Sequence, residues 1–109
     1  MIKMNLDDAP FSYMKDGLKK IEVRLYDERR KDIKIGDKIL FTNSKLGNFK
    51  RIVKKKNLYS TLEELVIKEN LSEAGMYRNT DEWVKHIYSI YPKSKIDKYG
   101  LVVLHLEIV

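Results

Sequence analysis

The stretch "GLKKIEVRLYDERR", residues 17–30, sets three apolar side chains between charged ones and then closes on a cluster of charge. Period-two alternation from Lys20 to Leu25 predicts a strand that buries Ile21, Val23 and Leu25 and presents Lys20, Glu22 and Arg24 on its other face. Residues two apart on one face stand about 7 Å from each other, so these three charges can line one small site. A cation beside a carboxylate keeps that carboxylate ionised, and the set offers donors and acceptors to a polar heterocycle and its phosphate. The plainer reading is a solvated strand face whose ion pairs each contribute under about 1 kcal/mol.

Working outward, turn signals cut the rest of the chain into short elements. Upstream, "DDAPFSYMKDG" offers an acidic cap, an early proline at Pro10 and a stop at Gly17, which predicts a helix over residues 9–16. Downstream, Gly36 and Asp37 turn the chain into a strand over 38–42, "SKLGN" reverses it, and a long basic strand runs over 49–59. Ser60 and Glu63 have capping-box spacing for a helix with the apolar stripe Leu62, Leu65 and Val66. Thr80 caps a further helix that carries Trp83, Val84, Ile87, Tyr88 and Tyr91 and ends at Pro92. "PKSKIDK" reads as a loop, and "YGLVVLHLEIV" reads as a closing strand. About five to six short strands with two to three short helices predict an α+β fold, a small curled sheet or β-barrel. With 109 residues the chain is expected to form a single domain, residues 1–109.

The chain has no cysteine, which excludes thiolate chemistry, disulfides and cysteine-bound zinc. Its two histidines have no carboxylate pair at a ligand-like spacing, so no metal and no cofactor are expected. No apolar run has the length of a signal or a membrane span, and the expected location is the cytoplasm. Formal net charge is +6, and it is unevenly spread. Residues 1–60 hold 16 Lys and Arg against 8 Asp and Glu, whereas 61–109 hold 6 against 8. Such a distribution favours anionic partners, and Arg24, Arg29, Arg30 and Arg51 are of the type suited to bidentate contact with phosphate.

The run "GLKKIEVRLYDERRKDIKIGDKILF" resembles the signature of the ASCH domain family, in which Gly-x-Lys-x-x-Glu-x-Arg precedes a charged turn and an Ile/Val-Gly-Asp strand. The likeness extends through "APFSYMKDG", the Ser60 helix, "IYSIYPKSKIDKYG" and the last strand. It implies a PUA-like β-barrel, related to RNA-binding domains, with signature residues lining a cleft. By position these are Lys19, Glu22 and Arg24. Lys19 rather than Lys20 is the signature lysine, which predicts a bulge or a strand start there. One branch of the superfamily deacetylates acetylcytidine and carries a threonine where this chain has Glu22; that branch also uses a later glutamate, for which Glu69 and Glu73 are the nearby residues. A hydrolase here would instead use Glu22 as base, with Lys19 or Arg24 stabilising negative charge.

Remaining residues divide between core and site. Trp83 and Tyr88 suit the buried face of their helix, while His86 and His105 read as surface or half-buried residues. Tyr26, Tyr91 and Tyr99 can either fill the barrel or stack a base beside the cleft, with Arg29 and Arg30 on phosphate. "FKRIVKKKN" reads as an edge strand protected by lysines or as a track for a nucleic-acid backbone. The expected partner is RNA or a nucleotide bound by Lys19, Lys20, Glu22, Arg24 and these aromatics and arginines. An acidic protein partner is the further alternative, and no pattern speaks to the oligomeric state.

Overall fold

The computed structural model describes residues 1–75 and 77–109. In chain order the elements are β1 (Ile2–Asn5), α1 (Asp8–Lys15), β2 (Ile21–Leu25), β3 (Lys38–Asn43), β4 (Gly47–Tyr59), α2 (Leu62–Lys68), a 3-10 turn (Leu71–Glu73), α3 (Thr80–Ile90), α4 (Lys93–Tyr99) and β5 (Leu101–Ile108). The five strands form one sheet in the order β1-β3-β4-β5-β2. β1 runs parallel to β3 and every other pair is antiparallel. The sheet curls into a half-barrel, which is the α+β, PUA-like architecture the sequence predicts.

Alternation along the strands gives the sheet two buried faces. On one face Ile21, Val23, Leu25, Leu101 and Val103 meet Leu62, Leu65, Trp83, Ile87 and Ile96 from the helices. On the other, Val102, Leu104 and Leu106 join Ile39, Phe41 and Val53 beneath Phe11 and Met14 of α1. β5 lies between the two cores and is apolar on both sides for that reason, as central strands are. Burying side chains of this kind contributes about 1.5 to 3 kcal/mol each, which is enough to fix the register of the strands. Gly17 stops α1 in the left-handed conformation, with φ 83°.

Several boundaries depart from the sequence reading. "PKSKIDK" is a helix, so the chain has four α-helices among its described residues rather than two to three. It contributes a single buried residue, Ile96, too few to reveal a period. Pro92 ends α3 as predicted and then leads into α4, its fixed φ of −58° suiting a helix start. The caps also sit one residue from the predicted ones. Thr61 Oγ1 accepts from Glu64 N at 3.2 Å, and Asn79 Oδ1 accepts from Glu82 N at 2.9 Å. Thr61 and Glu64 repeat the capping-box spacing of Ser60 and Glu63, and burial of Leu62 and Leu65 selects the later register. β1, four residues with only Met4 buried, has too short a pattern to be read. The basic strand β4 is internal, paired with β3 on one side and β5 on the other, so its lysines do not guard an edge.

Candidate functional site

β1 and β2 are the two free edges of the half-barrel, and α1 is the connection between them. Lys20 lies just outside the strand, which begins at Ile21, and its side chain is exposed. Two amides just after α1, Leu18 N and Lys19 N, both donate to Tyr13 O, and this turn brings the Lys19 side chain under the strand. Lys19 Nζ donates to Ile21 O at 2.7 Å and Ala74 O at 2.9 Å, and lies 3.2 Å from Glu22 Oε1. Arg24 donates through Nε and Nη2 to Glu22 Oε2, at 3.1 and 2.7 Å. Its Nη2 also reaches Asn5 O at 3.0 Å, so this side chain bridges the open seam from β2 to β1.

Lys19 and Glu22 are buried, with side-chain exposures of 7% and 8%. Burial alone would push the Glu22 carboxyl up, but the charges of Lys19 and Arg24 and their hydrogen bonds hold it below its ordinary value. For Arg24, burial disfavours the charge and the Glu22 carboxylate more than restores it, leaving the guanidinium above its usual value. Arg24 Nη1 has no protein acceptor among the described residues, and its side chain stays 17% exposed.

These three groups form the floor of a hollow of about 180 Å³. Asn5 and Asp7 stand on one side of it, and Trp83, Ile87, Ile90 and Tyr91 of the α3 segment stand on the other. The Tyr77 and His86 rings, 5.4 Å apart, stand between this hollow and a second lobe of about 330 Å³ that shares Lys19 as a wall. Tyr77, His86 and Asp7 were not singled out from the sequence as site residues. His86 lies on the exposed side of its helix as predicted, and only the fold brings Tyr77 against it.

The other sequence candidates lie elsewhere. Lys20 is exposed and outside the hollow. Tyr91 lines the hollow, whereas Tyr26 and Tyr99 border a separate cavity of about 300 Å³. Arg30 is buried in the turn after β2 and donates to Asp27 Oδ2 at 2.9 Å; Arg29 is exposed in the same turn. Arg51 stacks over Phe49, 4.5 Å from its centroid, and donates to Met14 O, which makes it a clasp for α1.

A second buried carboxylate escaped the sequence reading as a cluster. Glu69 Oε2 accepts from Asn57 Nδ2 at 2.7 Å and from Tyr59 OH, and Glu69 Oε1 lies 2.7 Å from His105 Nε2. Burial pushes the Tyr59 phenol up, and its hydrogen bond to Glu69 adds to this, to about 12. Neither Glu69 nor Glu73 lines the hollow. Among the described residues no three His, Cys, Asp or Glu side chains gather as metal ligands, and no helix is long and apolar enough to cross a membrane.

The profile of the ASCH domain matches residues 4–109. The chain belongs to the ASCH domain family. This ASCH domain is similar to the crystal structure of hypothetical protein PH0355, at 35% identity and a TM-score of 0.87 over 98% of this chain and 97% of that one. It is also similar to the solution structure of protein PF0455 from Pyrococcus furiosus, at 34% identity and a TM-score of 0.77 over 97% of this chain and 94% of that one. No curated protein matches it.

Proposed function

We propose that this ASCH domain, acting as one unit along the chain, is a nucleotide- and RNA-binding module whose hollow receives a single nucleobase. The observation that carries this reading is the convergence of Lys19, Glu22 and Arg24 on one concavity at the seam of the half-barrel. Its volume of about 180 Å³ suits one ring. An apolar cavity of about 150 Å³ holds a benzene-sized molecule. Mixed charge suits a heterocycle that both donates and accepts, and the unpaired Arg24 Nη1 is a donor for a base edge or a phosphate. Tyr91 offers an aromatic face, and the adjoining lobe beyond Tyr77 and His86 has room for the sugar.

Binding is favoured over hydrolysis by the state of Glu22. Both its oxygens are engaged by cations and its pKa lies below the ordinary range, so it is a weak base at neutral pH. Lys19 Nζ is likewise engaged by two carbonyls and a carboxylate.

The test is binding of short single-stranded RNA to the wild type, to Arg24→Gln and to Lys20→Gln, whose side chain lies outside the hollow. Arg24→Gln is expected to weaken binding about 10- to 100-fold, the scale of one or two charged hydrogen bonds, and Lys20→Gln to change it less than 3-fold. Equal losses in the two variants would make the effect one of net charge and remove the hollow from the account.

A further inference from the structure

β2 does not end its charged face at Arg24. Tyr26 N donates to Gly100 O at 2.9 Å, which prolongs the pairing with β5 by one step and keeps Tyr26 on the side of Glu22 and Arg24, about 7 Å beyond the guanidinium's residue. There Tyr26 borders the cavity of about 300 Å³ whose other walls include Leu58, Ser60, Lys98 and Tyr99. Leu58 is an apolar side chain left 51% exposed at its edge.

Cations surround both rings. Lys98 Nζ lies 5.1 Å and Lys95 Nζ 6.0 Å from the Tyr99 centroid, and Lys56 Nζ lies 5.0 Å from that of Tyr26. Lys56 is engaged by Ile33 O and Lys31 O. Lys95 and Lys98, by contrast, make no ion pair or side-chain hydrogen bond among the described residues, because the nearby carboxylate of Asp97 is paired with Lys93 at 3.0 Å. Two aromatic faces beside a cavity, with Lys98 in its wall, Lys95 near the same Tyr99 ring and the wall carboxylate of Asp97 already paired with Lys93, match a flat ring attached to an anion. An acidic peptide would use the lysines and leave the rings and the cavity unused.

We infer that this cavity is a second subsite that takes another base of the same RNA strand, with Lys95 and Lys98 on its phosphates. The inference rests on the hollow at Arg24 holding the first base. Spacing supports a shared strand by two routes. Arg24 to Tyr26 is about 7 Å along β2. From Tyr91 at the hollow the chain passes through Pro92 and then the seven residues of α4, about 10 Å of helix, to Tyr99. At about 3.4 Å per stacked nucleotide, the β2 span corresponds to about two nucleotides and the α4 helix alone to about three.

The experiment compares the four nucleoside 5′-monophosphates with the four homotetranucleotides, on the wild type, on Lys95→Gln/Lys98→Gln and on Tyr99→Leu. Monophosphates read the hollow alone. Wild-type protein is expected to bind at least one tetranucleotide about 5- to 150-fold more tightly than its monophosphate, the range of one stacked base. The double variant, altered only at exposed positions of α4, should lose that gain while keeping monophosphate affinity. Its slope of log K against log salt should shrink by about 1.4, the contribution of two phosphates on a single strand. Tyr99→Leu should lose the stacking gain with little change in slope.

Equal affinity of wild type for monomer and tetramer, or a double variant with unchanged tetramer affinity and slope, overturns the second subsite and leaves the hollow standing. If monophosphates do not bind at all, the reading of the hollow falls, and this inference falls with it.

Discussion

Two glutamates are buried in this molecule, on opposite faces of one sheet, and they are stabilised in different ways. Glu22 faces the open seam and is neutralised by two cations, Lys19 and Arg24. Glu69, under the helices, accepts from Asn57 and Tyr59 and meets His105, all on neighbouring strands β4 and β5. The first cluster lines a hollow and keeps a guanidinium donor free of protein acceptors there; of the second, only Tyr59 borders a cavity, and Glu69 and His105 line none of the described hollows. Burial of a carboxylate is therefore not what marks the site. The mark is excess cation turned toward an opening.

The comparison predicts unequal costs of truncation. Glu22→Ala leaves the buried Lys19 and the half-buried Arg24 without their shared carboxylate, and urea unfolding should register a loss of about 3 to 5 kcal/mol. Glu69→Ala strands the Asn57 amide and Tyr59 hydroxyl donors instead, for about 1 to 3 kcal/mol, and should leave nucleoside monophosphate affinity unchanged. A larger loss at Glu69 than at Glu22 would break the comparison.

A smaller effect belongs to the joint between the two regions. Gly100 has φ 76°, and a Cβ there would meet Tyr59 O at 3.0 Å. Gly100→Ala is expected to lower stability by about 1 to 2 kcal/mol from backbone strain, with a further cost from the contact. Thermal unfolding measures it, and an unchanged Tm would mean that β4 shifts to make room.

The two clusters should also separate in pH. Glu22 and Glu69 both titrate below their ordinary value in the fold, so the stability they contribute is complete above pH 4.5 and is lost as pH falls through the folded values. Tyr59 titrates upward, at about 12, so its contribution is complete below pH 10 and is lost as pH rises through about 12. Glu22→Gln should flatten the acid limb of a stability profile and leave the alkaline one, whereas Tyr59→Phe should remove the alkaline limb and, by taking a hydrogen bond from Glu69, also weaken the acid one. An alkaline limb that survives Tyr59→Phe would assign it to other groups.

The strand of the seam was legible because alternation is a local property: Ile21, Val23 and Leu25 are buried where the period puts them. Which lysine pairs with Glu22 was not, since Lys20 satisfies the alternation and Lys19 reaches Glu22 only through the turn after α1. The resemblance, not the periodicity, pointed to Lys19. Tyr77 and His86 meet across a turn and a helix, and Glu69 meets His105 from 36 residues away, contacts that no spacing encodes. Tyr99 looked like part of one cleft with Tyr91 because α4, seven residues with one buried side chain, read as a loop, and Tyr26 because it directly follows the signature strand.

The convergence of Lys19, Glu22 and Arg24 on a ligand is tested most directly by amide chemical shifts of the labelled protein during titration with the nucleoside 5′-monophosphates. The account predicts saturable shifts at Asn5, Glu22, Val23, Arg24 and Tyr91, with the amides around Glu69 and His105 unmoved. Saturable shifts that cluster around His105, or on the lysines of β4, with the seam silent, would contradict it.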